Sequence, residues 1–390
     1  MTAYKEHLNS LLVHGSEETD PLYRTVNTPI YLSSTFRSRN FGVHEDFGYS
    51  RGGNPTRKQL ETLIADLEGG RFGFAFSSGM TATAAAISTL KSGEEMLVTR
   101  NVYGGTVDVL STVFSRYGIS FRLIDTSDLT AVRDAFRENT KAVFLETPSN
   151  PLLDVSDIAA ISEISRDRGA ITIVDNTFLS PYLQRPLLLG ADIAVESATK
   201  YMSGHSDIIA GTAATNDESL AERLRAFQVL IGGIIQPFDA FILLRSLKTL
   251  SVRMDRQIEN ALKAAEFLNK NAAVDHVFYP GLPDDPGYEL NARQAKGPGA
   301  MMSFLLNGDY DVKTFFDALE MIVSGASLGG VETLISSPIC GSHRNFSKEQ
   351  LEDAGITDNM VRLSVGIEDI SDIIADLRQA FEKARGGSHP

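Results

Sequence analysis

Two residues within the stretch from Ile171 to Ser206 could do together what neither does alone: the carboxylate of Asp175 and the amine of Lys200. Asp175 follows the β-branched run Ile171-Thr172-Ile173-Val174. Lys200 follows the apolar run Ile193-Ala194-Val195 by way of Ser197-Ala198-Thr199. Apolar runs of this length, bounded by polar and Gly/Pro punctuation, predict strands buried on both faces of a parallel sheet. In such sheets chemistry gathers beyond the carboxyl ends of the strands. An amine there can form a Schiff base with an aldehyde cofactor, and a carboxylate can hold the protonated ring nitrogen that makes the cofactor an electron sink. Taken singly, Asp175 reads as a turn cap and Lys200 as a solvated lysine. Ser197, Thr199 and Gly204 around the lysine tip the balance toward a cofactor site.

Other stretches carry partners for such a site. Ser77-Ser78-Gly79-Met80-Thr81 opens directly into an alanine-rich segment, Ala82–Leu90, predicted helical. Free backbone N–H groups at a helix start attract a single anion such as phosphate. No Walker loop and no G-x-G-x-x-G after a strand occurs, which disfavours nucleotides. Tyr49 and Arg51 lie on a glycine-loosened loop before Asn54-Pro55, where an arginine has no packing duty and a phosphate is the sharper use. Tyr103, in the turn Val102-Tyr103-Gly104-Gly105, could stack on a flat ring or cover a helix end. Asn150, in Glu146-Thr147-Pro148-Ser149-Asn150-Pro151, is a hydrogen-bonding candidate at another strand end.

Bulk properties remove several alternatives. The 390 residues are 43% hydrophobic and 22% charged, enough for two domains with proper cores. A formal net charge of −14 opposes nucleic-acid binding. No apolar run approaches the ~20 residues that cross a bilayer, and the first twenty residues lack a signal-peptide core. A single cysteine, Cys340, precludes an intramolecular disulfide and suits a reducing cytoplasm; it reads as a buried thiol. The seven histidines form no ligand pair, so no metal site is expected. His205 reads as a packing neighbour of the lysine.

The elements that must position these groups follow in order. Residues 1–58 form an N-terminal arm with a short helix near Lys5–Val13 and no core of its own, so it must lie on something, such as a neighbouring subunit. Asn54 and Pro55 predict a helix start, and Leu60, Leu63, Ile64 and Leu67 its apolar stripe, ending at Gly69-Gly70. Within residues 59–245, predicted strands Met96–Thr99, Ser120–Ile124, Ala142–Leu145, Ile171–Val174 and Ile193–Val195 alternate with helices near Thr106–Arg116, Ser127–Glu138 and Ile158–Arg168. That alternation means an α/β sheet wrapped on both faces. One long helix from Phe238 to about Leu268 then leads into residues 246–390. There Ala300–Leu305 and Met360–Val365 read as strands, and Lys313–Ala318, Lys348–Asp353 and Ser371–Lys383 as helices, an α+β domain of ordinary size.

Eight motifs, taken together, resemble one family. They are Tyr49–Thr56 (YSRGGNPT), Ser77–Met80, Val102–Thr106, Glu146–Pro151, Val174–Phe178, Ser197–Tyr201, Ser327–Glu332 (SLGGVE) and Val361–Asp369. In unbroken order over nearly the whole chain they resemble the Cys/Met-metabolism family of pyridoxal-phosphate (PLP) enzymes. The family holds cystathionine γ-synthase, the cystathionine γ- and β-lyases, methionine γ-lyase and the homoserine sulfhydrylases. The resemblance implies the PLP-dependent transferase fold (aspartate-aminotransferase-like, fold type I). It gives Lys200 the cofactor and proton shuttling, Asp175 the pyridinium nitrogen and Tyr103 the stacking. Gly79, Met80, Ser197 and Thr199 would hold the phosphate, and Tyr49 and Arg51 would reach it from the adjacent subunit of a dimer-built homotetramer. Asn150 would lie near the ring hydroxyl. Arg362 would clamp the substrate carboxylate in a two-bond fork, helped by Ser327.

The resemblance narrows the reaction less. Gly105 stands where methionine γ-lyases usually have cysteine. Ala326 stands where cystathionine enzymes tend to carry glutamate, and Asp108 where they often carry arginine. A C–S lyase acting on cystathionine or a related sulfur amino acid is expected, ahead of cystathionine γ-synthase and then methionine γ-lyase. A PLP-binding regulatory protein is the non-enzyme alternative.

Overall fold

The computed structural model describes residues 7–15, 23–43, 45–341, 344 and 346–386. Its larger sheet comprises β1 (Phe72–Phe76), β2 (Glu95–Thr99), β3 (Ser120–Ile124), β4 (Thr140–Glu146), β5 (Ile171–Asp175), β6 (Ile193–Glu196) and β7 (Gly211–Thr215). They lie in the order β1-β7-β6-β5-β4-β2-β3. Every pairing is parallel except those made by β7, which runs against both β1 and β6. The strands are apolar on both faces because helices cover both. Val98, Val143, Phe144, Ile173 and Ile193 are all fully buried, each contributing about 1.5–3 kcal/mol.

A second sheet joins β8 (Val274–Phe278), β9 (Met301–Leu306), β10 (Val323–Ser324), β11 (Leu334–Ser336) and β12 (Met360–Ser364) in the order β10-β11-β12-β9-β8. All its pairings are antiparallel except β10–β11. This is the mostly parallel α/β sheet plus α+β portion that the sequence led us to expect.

Capping fixes the helices that matter to the site. The helix Pro55–Glu68 starts at Asn54, whose side chain accepts from the Thr56 and Arg57 N–H groups, and stops at left-handed Gly69. The helix Gly79–Ile87 starts three residues before the predicted span, with the Ser78 hydroxyl accepting from Thr81 N–H. Its alanines let it lie close over β6 and β7.

Three expectations change. The single helix Phe238–Leu268 is two, Pro237–Leu247 and Leu250–Asn269. At the break, the Thr249 hydroxyl donates to the Ser246 carbonyl, and the Arg253 guanidinium bonds both residues. β7 escaped the sequence because Gly-Thr-Ala-Ala-Thr has little apolar bulk. It is nevertheless wholly buried, and a Cβ at Gly211 would fall 2.1 Å from the Ser78 carbonyl oxygen. Cys340 is exposed, not buried, because it follows β11 into a surface turn. It lines a cavity of about 710 Å³ with Tyr310 and Phe316, apart from every candidate site residue.

Candidate active site

Three neighbouring strands end in acids: Glu146 on β4, Asp175 on β5 and Glu196 on β6. Glu146 and Asp175 are register partners, so their side chains leave the same face. Asp175 pairs with Val195, so Glu196 leaves the opposite face. Thr177 fixes Asp175 twice, its N–H at 3.0 Å and its hydroxyl at 2.5 Å, both to Oδ1. The same threonine Oγ1 accepts from Ser197 N–H at 2.8 Å, tying the end of β5 to the start of the lysine loop. Burial raises the Asp175 carboxyl above its ordinary value, and the Thr177 bonds oppose that rise.

Lys200 sits half-buried four residues past β6, with its Nζ donating to Ser327 Oγ at 2.8 Å. Burial first, and then the charge of Arg362, lowers its pKa to about 8. A surface lysine at pH 7.5 is almost wholly protonated; this one holds a sizeable minority, about a quarter, as the free amine. The 327–330 turn reaches the lysine because Gly329, at φ +76°, lies against the Lys200–Tyr201 backbone, where a Cβ would come 2.7 Å from Tyr201 N. Ser327 itself holds φ +90°, a strained value for a side-chain-bearing residue and a pattern found at functional sites.

Arg362, on β12, is buried at 6% exposure and brings the second sheet into the site. Nη1 donates to Asn150 Oδ1 at 2.9 Å, and Nη2 to the Ser327 carbonyl at 3.3 Å. Burial lowers its pKa to about 10, so it stays cationic at neutral pH. Tyr103 caps the helix Gly104–Thr112, and its N–H donates to Glu146 Oε2 at 2.9 Å. Its ring is 44% exposed and lies over Gly105. A Cβ on Gly105 would stand 2.5 Å from that ring and 3.1 Å from Met80 sulfur. Burial, then the nearby Asp175, pushes Glu146 well above the usual carboxylate range.

Facing this cluster is the start of the helix Gly79–Ile87, where Gly79 and Met80 belong to the first turn, whose N–H groups lack partners inside the helix. A Cβ at Gly79 would fall 2.7 Å from Ser197 Cβ, so only glycine lets the two loops close into a cradle. Thr199, two residues beyond Ser197, has its hydroxyl bonded to the Ala210 backbone, donating to the carbonyl at 3.1 Å and accepting from the N–H at 2.9 Å. An amine, a carboxylate, an exposed ring and a pocket of N–H groups fit a flat, anionic aldehyde whose ring nitrogen carries a proton.

Two candidates stand outside the cluster. Tyr49 is 53% exposed, and Arg51 lies on the surface with its guanidinium 5.8 Å from the Tyr49 ring. Arg51 Nη1 donates to the Val229 carbonyl at 2.6 Å, at the end of the helix Glu218–Ile231. His205 does not pack beside the lysine: Gly204, at φ +69°, turns the chain outward, and His205 is exposed, with Nδ1 2.5 Å from the Ser203 carbonyl. Sequence reasoning did not single out Glu146, Thr177 or Glu196. The usable signal was positional: acids and a hydroxyl at the same strand ends as Asp175. Among the described residues there is no cluster of metal-ligating side chains and no helix long and apolar enough to cross a membrane.

Comparison with known proteins identifies the family and the fold. The chain is 45% identical over 376 residues to a cystathionine beta-lyase of Lactococcus lactis subsp. cremoris, covering 96% of this chain and 99% of that one. The structure of a cystathionine gamma-lyase from Lactobacillus plantarum complexed with L-serine superposes with a TM-score of 0.95 at 40% identity, covering 97% of this chain and 99% of that one. A cystathionine gamma synthase from Xanthomonas oryzae pv. oryzae in complex with cystathionine gives 0.94, also at 40% identity, covering 97% and 98%. The model of the Cys/Met metabolism PLP-dependent enzymes matches residues 9–382. The chain belongs to that family, and it is a PLP-dependent enzyme of fold type I.

Proposed function

We propose that the protein is a carbon–sulfur lyase acting on cystathionine or a related sulfur amino acid, releasing a thiol, a 2-oxo acid and ammonia. The observation that carries this reading is the Lys200 amine, half-buried, depressed to about 8, and held 2.8 Å from Ser327 Oγ beside the buried Arg362. Bound pyridoxal phosphate supplies an electron sink that disperses negative charge developing at the substrate Cα. Lys200 holds the cofactor and then, as a free amine, moves protons among Cα, Cβ and Cγ. Asp175, pre-aimed by Thr177, pairs with the ring nitrogen, and that cation favours its ionised form. Tyr103 covers the ring. Gly79 and Met80 N–H groups, with Ser197 and Thr199, take the phosphate at a helix start. Arg362 exchanges its Ser327 carbonyl contact for the substrate carboxylate, with Asn150 bracing it near the ring hydroxyl.

Tyr49 and Arg51 fit this scheme as contributions to a neighbouring subunit's phosphate, within a dimer-built homotetramer in the cytoplasm. Their exposure, and that of Tyr23, Val26, Leu32 and Phe41 on the same arm, supports such a partner. Within that assembly, 1–58 serves as the arm, 59–245 as the cofactor domain and 246–390 as the C-terminal domain.

Relatives named as β-lyase, γ-lyase and γ-synthase all match this chain over nearly its whole length, so product analysis decides the reaction. Purified protein is given cystathionine, methionine, cysteine and O-succinylhomoserine separately, and pyruvate, 2-oxobutyrate and ammonia are measured. We expect 2-oxo acid and ammonia from cystathionine. Turnover confined to O-succinylhomoserine with cysteine would replace the lyase reading with the synthase.

A further inference from the structure

Behind the site lies a second acid pair. Glu196 ends β6 on the sheet face opposite Asp175, and Glu68 ends the helix Pro55–Glu68 that packs on that face. Both are buried, at 3% and 2% exposure. Asn176, the residue after Asp175, donates from Nδ2 to Glu196 Oε1 at 3.1 Å and to the Gln184 carbonyl at 2.8 Å. Glu68 differs: both its carboxylate oxygens are buried without a donor, although its carboxyl lies within hydrogen-bonding reach of Glu196. Two ionised carboxylates cannot bond each other, and two buried charges in contact are unfavourable. One proton between them removes both difficulties.

We propose that Glu68 and Glu196 share a single proton and form a positioning pair beneath Asp175, holding one negative charge there instead of two. Burial is the main cause of the raised affinity for that proton: it lifts Glu68 to about 7 and Glu196 well above the usual range. The charged groups that face the pair are Arg185 from the Glu68 side and Asp175 from the Glu196 side. The residual charge therefore settles toward Arg185, while the neutral acid faces Asp175 and keeps Asn176 in place. Through Asp175 the pair would raise the proton affinity of a ring nitrogen seated above it, so this role rests on the proposed cofactor pose.

Glutamine separates the two halves of the claim. In E68Q or E196Q an amide N–H donates to the remaining carboxylate, copying the acid–carboxylate pair in shape and charge. Infrared difference spectra of the holoenzyme at neutral pH should show that each single variant loses one protonated-carboxyl band. E196Q, which keeps the charge on Glu68, should leave the pH midpoint of the cofactor's visible absorption in place, whereas E68Q, which moves that charge onto Glu196 nearer Asp175, should raise it. The double variant, which removes the charge, should move that midpoint to lower pH by about one unit. Retention of the band in either single variant would overturn the shared proton. An unmoved midpoint in the double variant would overturn the action on Asp175. If wild-type protein holds no cofactor, the pose fails, and the infrared result still judges the pair by itself.

Discussion

The carboxyl ends of β4, β5 and β6 and the loop from 48 to 54 supply residues to one proposed site, and the two regions are built on opposite terms. At and just past these strand ends the charged groups are held, Asp175 by Thr177, Glu146 by the Tyr103 N–H and Lys200 by Ser327, and Arg362, facing them from β12, is held by Asn150. In the loop, Tyr49 and Arg51 stand in solvent, and the bond from Arg51 to the Val229 carbonyl is one that water could replace. Preorganised groups can act within one protomer. Solvent-facing ones gain a fixed geometry only when a surface covers them. On the proposed reading the comparison says where assembly would matter: charge chemistry would be complete within a single chain, and anchoring of the anion would be shared.

The largest way to sharpen this contrast is Lys200→Ala. It removes the amine bonded to the 327–330 turn, and we expect turnover to fall by at least ~10³-fold, with loss of the cofactor's visible band. Protein that kept both would remove the strand-end region from the mechanism. Arg362→Ala comes next. Truncating a buried cation that grips a carboxylate costs about 2–5 kcal/mol, so the amino-acid KM should rise by about 30-fold or more. The same change removes a positive neighbour from Lys200, so the amine should bind its proton more tightly. In wild type, cofactor capture by stripped protein should speed up as pH rises toward about 8 and then level. In the variant that limb should move to higher pH. A limb that stays put would mean that burial alone sets the lysine.

Arg51→Ala tests the other region. Loss of one charge-assisted bond costs roughly 1.5–3 kcal/mol, so cofactor affinity should weaken about 10- to 100-fold, with kcat at saturating cofactor much less affected. The loss should be rescued in mixed oligomers in which the variant supplies the sheet and a second, lysine-dead chain supplies the arginine. Absence of rescue would place Arg51 in its own protomer's site.

Legibility in the sequence followed the same divide. Asp175 and Lys200 could be read because β-branched runs announce buried strands, and function sits at their ends. The helix Pro55–Glu68 was legible from cap to glycine. Unread were features that depend on what lies across space: β7, whose five small residues become a buried strand only between β1 and β6; the break at Thr249, set by Arg253 reaching back; and Glu196, whose partner Glu68 is distant in sequence. Arg362 was reached through the family resemblance, since nothing local to Met360–Ser364 says that it meets Asn150 from the other sheet.

The smallest effect concerns the joint between the two regions. Asn54 accepts from the Thr56 and Arg57 N–H groups as a helix cap, and its Nδ2 donates to the Tyr31 carbonyl at 2.9 Å and Ser50 Oγ at 3.1 Å. Arg57, one turn on, bonds the Ser50 and Arg51 carbonyls. The cap therefore fastens the solvent-facing loop to a helix whose far end is Glu68. Asn54→Ala should cost about 1 kcal/mol, a fall in Tm of about 1 °C for a chain this long. Asn54→Asp keeps the cap acceptor but loses both Nδ2 donors, so it should hold the Tm while weakening cofactor affinity through a looser Arg51. Equal behaviour of the two variants in both measurements would show that the loop takes its order from the covering surface alone.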